Sequence, residues 1–215
     1  MPCSILMFLL FCVALLSSFR GEAQDCASSK APGWADELRQ LFADCANSVP
    51  SPNGAFSFQI GSLEKIRILK GGHPLALIGN EKLALPAVVS WSPNSTQFFL
   101  NDGDGSGLSS QLRLFRIIGA TAKENDDLNR TIVRIYRDRN RCSKVTKNPN
   151  VYGVGWSPDG VTLYVVAQST VNNPCGEPTK YLGFILDVEK NEIKQILSTQ
   201  QARAKFDQYL PRELR

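Results

Sequence analysis

Two stretches of this chain repeat one another, and the repeat limits what it can fold into more than any single residue does. Trp91-Ser92-Pro93-Asn94 and Trp156-Ser157-Pro158-Asp159-Gly160 each close an apolar run, PAVVSW at 86–91 and VYGVGW at 151–156. Proline fixes φ, and Asn or Asp-Gly behind it completes a tight turn that reverses the chain. Short β-branched and aromatic runs follow at once, QFFL at 97–100 and TLYVV at 162–166, as a second strand requires. A polar loop and a third strand come next, NDGDGSG at 101–107 before QLRLFRI at 111–117, and 168–179 before KYLGFILD at 180–187. The second copy adds EIKQIL at 192–197 after a turn at 189–191. Strand patterns that recur with their own punctuation mark a repeat architecture, so the chain is expected to be mostly β.

The order of strand, W-S-P-D-G turn, strand, polar hairpin, third strand and short last strand resembles the TolB-like β-propeller repeat, a WD-type blade. A fainter copy stands at Ser51-Pro52-Asn53-Gly54, with strand-like runs at 55–60 and 65–69 behind it and no tryptophan before it. The serines of successive copies lie 41 and 65 residues apart, and the surplus falls between Gly119 and Asn148. Over residues 50–198 the resemblance implies an incomplete or small β-propeller-like array of antiparallel four-stranded sheets, with short N- and C-terminal helices. Propellers have about four to eight blades and this chain has room for about three, so either the blades stack as an open, incomplete propeller or another element, such as a second copy in a homodimer, completes the circle. The resemblance also implies a non-enzymatic scaffold that binds another protein, with Trp91 and Trp156 as anchors between neighbouring sheets.

Residues 1–23 read as a secretory signal peptide. An apolar run of 12 residues at 5–16 is too short to span a bilayer, and Gly21-Glu22-Ala23 offers small residues for cleavage after Ala23. No transmembrane segment is expected after cleavage, and the protein is expected to be secreted or periplasmic. Export suits the remaining cysteines, because an even number in an oxidising compartment reads as disulfides. Three connectivities are open to Cys26, Cys45, Cys142 and Cys175. The favoured one joins Cys26 to Cys45, stapling the N-terminal segment, and Cys142 to Cys175, tying the 119–148 insertion to the last hairpin.

Residues 24–49 are expected to be helical, since Trp34, Leu38, Leu41, Phe42 and Cys45 recur at helical spacing. Residues 199–215 are expected to be a C-terminal helix and tail, the helix running from its N-cap at Ser198 to Tyr209 and stopping at Pro211. Within the insertion, TIVRIY at 131–136 reads as a strand, with Arg134, Arg137, Arg139 and Arg141 along it and its exit loop. The net charge of +4 is spread thinly apart from these arginines, and phosphate binding needs a contiguous basic footprint, so no nucleic-acid partner is expected.

Asp102 and Asp104 alternate like the first ligands of a calcium loop, but the twelfth position holds Arg113 in place of a bidentate Glu. One histidine, His73, cannot complete a zinc site, and no phosphate-binding glycine loop precedes a helix, so no metal or cofactor is expected. Pro158 removes a backbone N–H that an oxyanion hole beside Ser157 would need. The remaining catalytic reading is a carboxylate-dependent hydrolase or glycan-processing enzyme, provided Asp102, Asp104, Asp159 and Asp187 converge. The binding reading instead nominates the loops: Asp102, Asp104 and Ser106 in the first hairpin, Arg137, Arg139 and Arg141 in the insertion, Asn172 and Asn173 in the last hairpin. Asn94 and Asn129 stand in glycosylation sequons.

Overall fold

The computed structural model describes residues 40–42, 48–60, 65–84, 87–103, 109–142, 148–169, 175, 180–211 and 214–215. They form three sheets and two α-helices. The stretch 1–23, expected as a signal peptide, most of the segment 24–49, and Cys26 and Cys45 lie outside them.

The first sheet contains β2 (Ser48–Pro50), β3 (Phe56–Ile60), β4 (Ile66–Lys70) and β5 (His73–Pro74), all antiparallel. The third contains β11 (Asn150–Trp156), β12 (Thr162–Gln168), β13 (Tyr181–Asp187) and β14 (Glu192–Leu197), likewise antiparallel in chain order. Both match the four-stranded expectation. The middle sheet does not, because it has six strands. Its antiparallel centre is β7 (Ala87–Trp91), β8 (Gln97–Gly103), β9 (Ser110–Ile118) and β10 (Thr121–Asn125). β1 (Gln40–Phe42) adds antiparallel to β7, and β6 (Ala76–Ile78) adds parallel to β10. Each covers an edge whose unpaired N–H and C=O groups would otherwise be open to another chain.

Strand alternation explains how the sheets pack. Side chains of successive strand residues point to opposite faces, and β8 sends Phe98 and Leu100 toward the first sheet while Phe99 faces the third. On β9, Phe115 faces the first sheet, and Leu112 and Leu114 face the third. The middle sheet is therefore buried on both sides, which is why β7 and β8 read as continuous apolar runs. The first sheet contributes Phe58, Ile60, Ile66 and Ile68 to one shared core. The third contributes Trp156, Leu163, Val165, Phe184 and Leu186 to the other.

Two expectations from periodicity fail. Gln40–Phe42 is a strand where a helix was expected; three residues on an open sheet edge gain ladder hydrogen bonds that a short amphipathic period does not supply. Residues 131–136, expected as a strand, lie inside α1 (Asp127–Arg139). Leu128, Ile132 and Tyr136 recur every four residues and are buried against the core of the second and third sheets, and that packing overrides the β preference of Thr131, Ile132, Val133 and Ile135.

The C-terminal helix forms as expected. Ser198 accepts a hydrogen bond from the Gln201 N–H, and the Gln201 side chain accepts one from the Ser198 N–H, a reciprocal cap that starts α2 (Thr199–Phe206). A 3-10 turn (Asp207–Tyr209) follows before Pro211. α2 and the residues after it place Ala202, Phe206, Leu210 and Leu214 on the outer face of the third sheet, against Val154, Val166, Tyr181 and Ile185.

Candidate binding surfaces

The junctions between sheets are built from one device used repeatedly. The Trp91 indole N–H donates to the Val49 carbonyl at 3.1 Å, and the Trp156 indole N–H donates to the Ser90 carbonyl at 3.4 Å. Val49 and Ser90 occupy equivalent places, each two residues before the serine of its own Ser-Pro-Asn turn. Each tryptophan thus reaches the strand that leads into the turn of the sheet before it. Trp91 packs on Phe98 at 4.8 Å between centroids, and Trp156 on Phe99 at 5.8 Å. Both tryptophans are almost wholly buried, at 1% and 4% exposed. Pro50 takes this place in the first sheet and is exposed.

The turns repeat as closely. Ser51, Ser92 and Ser157 each donate a hydroxyl to the Asx residue two positions on, and each hydroxyl accepts from the N–H five positions on, at Phe56, Gln97 and Thr162. The Asx oxygens accept from Ala55, Thr96 and Val161. The fourth residue of each turn is left-handed: Gly54 at φ 69°, Ser95 at 60° and Gly160 at 72°. Successive turns also touch. Asn53 N–H donates to the Ser95 hydroxyl, and the Asn94 amide donates to the Asp159 carbonyl. A Cβ at Gly160 would come within 2.8 Å of Asn94, so the third turn needs glycine for space as well as for φ.

On the third sheet, Gly155 holds the place equivalent to Val49 and Ser90. A Cβ there would lie 2.3 Å from the Tyr209 ring. The C-terminal segment therefore lays an aromatic ring on the position where a following sheet would bring its tryptophan.

At the opposite end from these turns, the strand ends that flank the two polar hairpins come together. Ser110 N–H donates to the Asn150 side chain at 2.9 Å, joining the second sheet to the third. Asn101 clamps Gly153 in both directions, donating to its carbonyl at 2.9 Å and accepting from its N–H at 2.7 Å. α1 is tied to the same end. The Tyr136 hydroxyl donates to the Cys175 carbonyl, and Cys142 is bridged to Cys175 with Cα atoms 5.4 Å apart. Of the residues nominated from sequence, Arg137 and Arg139 lie in the last turn of α1 and Arg141 just beyond it. Asp104, Ser106, Asn172 and Asn173 lie outside the described residues.

Asp102 is engaged within the fold. One carboxylate oxygen accepts from Ala84 N–H and the other pairs with Arg113 at 2.9 Å. Arg113, 3% exposed, also pairs with Glu124 at 2.6 Å and donates to the carbonyls of Lys82 and Asn80. Glu124 in turn accepts from Asn80 N–H. This buried cluster pins residues 80–84, the linker that follows β6. Burial pushes the Asp102 carboxyl above its usual value, and the Ala84 N–H and Arg113 pull it only partly back. Burial alone would lower the Arg113 pKa, but the hydrogen bonds it donates to the Glu124 and Asp102 carboxylates leave it raised. Sequence reasoning missed Arg113 and Glu124. The available signal was a charge on the same strand face as Phe115, between Leu112 and Leu114.

Of the other nominated carboxylates, the two among the described residues are equally committed. Asp187 accepts from Glu189 and Lys190 N–H groups and pairs with Lys194 at 2.8 Å. Asp159 belongs to the turn at the far end of the stack from Asp102. Among the described residues no three His, Cys, Asp or Glu side chains are grouped to hold a metal, and no helix is long and apolar enough to cross a membrane. No protein-family model matches the chain, and no curated protein matches it.

Proposed function

We propose that this chain is a non-enzymatic binding protein, exported to an oxidising compartment, that uses a stack of TolB-like repeats as a rigid frame for the loops at one end. The observation that carries the reading is the paired indole bond, Trp91 to Val49 and Trp156 to Ser90, each made to the preceding sheet. A frame built from equivalent joints holds its loops in fixed relative positions, and rigid frames present binding loops. The Cys142–Cys175 bridge supports export, because disulfides persist where thiols are not kept reduced. The segments that join β8 to β9 and β12 to β13, and the end of α1, are the elements offered to a partner protein.

Capture from extract of the producing cells tests this. Immobilised intact chain is expected to retain a defined protein, and a variant with 104–108 replaced by a Gly-Ser turn is expected to lose it. Retention of the same protein by both would remove that hairpin from the interface, and turnover of a substrate by the purified chain would overturn the non-enzymatic reading.

A further inference from the structure

The α1 surface turned away from the core carries a row of arginines. Leu128, Ile132 and Tyr136 face inward, whereas Arg130, Arg134 and Arg137 recur at one-turn spacing on the opposite side, with Arg141 continuing the row past the helix end. These four line a groove of about 520 Å³ with Val133 and Asp138. Four cationic side chains therefore meet one anionic side chain across its walls. Arg130 is held by Asp126 and Asp127. Among the described residues, Arg134 and Arg141 stand in no ion pair.

Arg141 occupies an unusual place. α1 ends with Arg141 N–H donating to Asp138 carbonyl and Cys142 N–H to Arg137 carbonyl, the pattern in which a left-handed residue, usually glycine, follows the helix. Arg141 adopts that conformation at φ 55°. A charged side chain thus stands where the backbone favours none. The bridge at Cys142 fixes the groove floor beside it.

We propose that this groove docks an acidic peptide segment of a protein partner, a refinement that rests on the binding reading above. The basic residues from Asp127 to Cys142 are all arginine, whose planar fork matches carboxylates two bonds at a time. Acidic side chains two positions apart on an extended peptide lie about 7 Å apart, close to the one-turn spacing of the arginines. Leu128, Ile132 and Tyr136 are buried in the fold and Ile135 packs against the same core, leaving only the half-buried Val133 as an apolar residue in the groove wall, too little to enter a lipid surface, so a peptide fits this face better than a membrane does.

Fluorescence anisotropy of the full, disulfide-bonded chain with a labelled Glu-Ser repeat peptide tests the proposal, with a Gln-Ser peptide and phosphatidylserine vesicles as comparisons. The Glu peptide is expected to bind and to weaken with added salt, the Gln peptide to bind at least about tenfold more weakly. Arg141→Gly is expected to weaken binding about threefold without lowering the thermal midpoint, since glycine suits that backbone, and adding Arg134→Gln brings the loss to about tenfold. No binding of the Glu peptide, equal binding of both peptides, unchanged affinity in the double variant, or preference for the vesicles would each overturn the groove. If the intact chain still captures its partner through 104–108 while the peptide fails, the binding reading stands and only the groove falls.

Discussion

Trp156 shows why a residue type can be legible in a sequence while its partner is not. Its position before Ser-Pro-Asp announces a repeat, and the turn bonds behind it are local, so Ser157, Asp159 and Gly160 could be read directly. The acceptor of its indole N–H is a backbone carbonyl 66 positions away at Ser90, which any residue could supply. Trp156→Phe retains an aromatic ring against Phe99 and removes the donor; it is expected to cost about 1 kcal/mol in urea denaturation, the net worth of one hydrogen bond. No change in the midpoint would mean that the bond contributes nothing. Asp102 illustrates the reverse error. Read as a loop acid, it belongs to the Arg113 cluster, because the residues that engage it lie elsewhere in the chain. For Asp187, the Lys194 hydrogen bond, with the Lys190 and Glu189 N–H groups, holds the carboxyl below its usual 3.8. A carboxyl lowered by folding stabilises the fold above 3.8 and loses that contribution as pH falls through the lower folded value. Asp187→Asn is therefore expected to flatten the fall in stability below pH 3.8, measured as urea midpoints between neutral and strongly acidic pH. A curve parallel to that of the unaltered protein would refute the assignment.

At the scale of elements, the strands of the three repeats were legible because each combines an apolar run with a turn that stops it. α2 was legible from Ser198 and Pro211 for the same reason. α1 was not, since Thr131, Ile132, Val133 and Ile135 favour strands, and only the four-residue spacing of Leu128, Ile132 and Tyr136 against the neighbouring sheets decides for helix. β1 and β6 were hidden more deeply. Each is three residues long and exists by pairing with a strand distant in sequence, β7 or β10. β6 and the linker after it depend on Arg113, whose guanidinium joins Asp102, Glu124 and two linker carbonyls. Arg113→Ala leaves two carboxylates facing each other without their cation, and removing one partner of a buried ion pair costs about 3–5 kcal/mol. Denaturant unfolding is expected to show a loss of that order, with hydrogen exchange at 80–84 accelerated before the rest of the chain. A loss below about 1 kcal/mol, the range of exposed pairs, would show that the cluster does not hold the linker.

Viewed whole, the molecule is three sheets in sequence order, each joined to the one before by an indole and a touching turn, with α2 and Tyr209 over the outer face of the last. A fourth sheet could not reach that face without displacing the C-terminal segment. The repeat and a C-terminal helix were readable from sequence, but the contact that seats the covering was not, because Gly155 accepts the ring of Tyr209 at a distance no side chain would allow. The hairpin ends, the C-terminal end of α1 and the Cys142–Cys175 bridge gather at one end, which is the arrangement on which the binding reading depends. The most direct test is nuclear Overhauser contacts of the indole protons in the isotopically labelled protein. The Trp91 indole N–H should show contacts to the α-protons of Val49 and Pro50, and that of Trp156 to those of Ser90 and Trp91. Indole protons that contact only their own sheets, or that exchange with solvent as freely as in a short peptide, would contradict the repeated joint and the frame built on it.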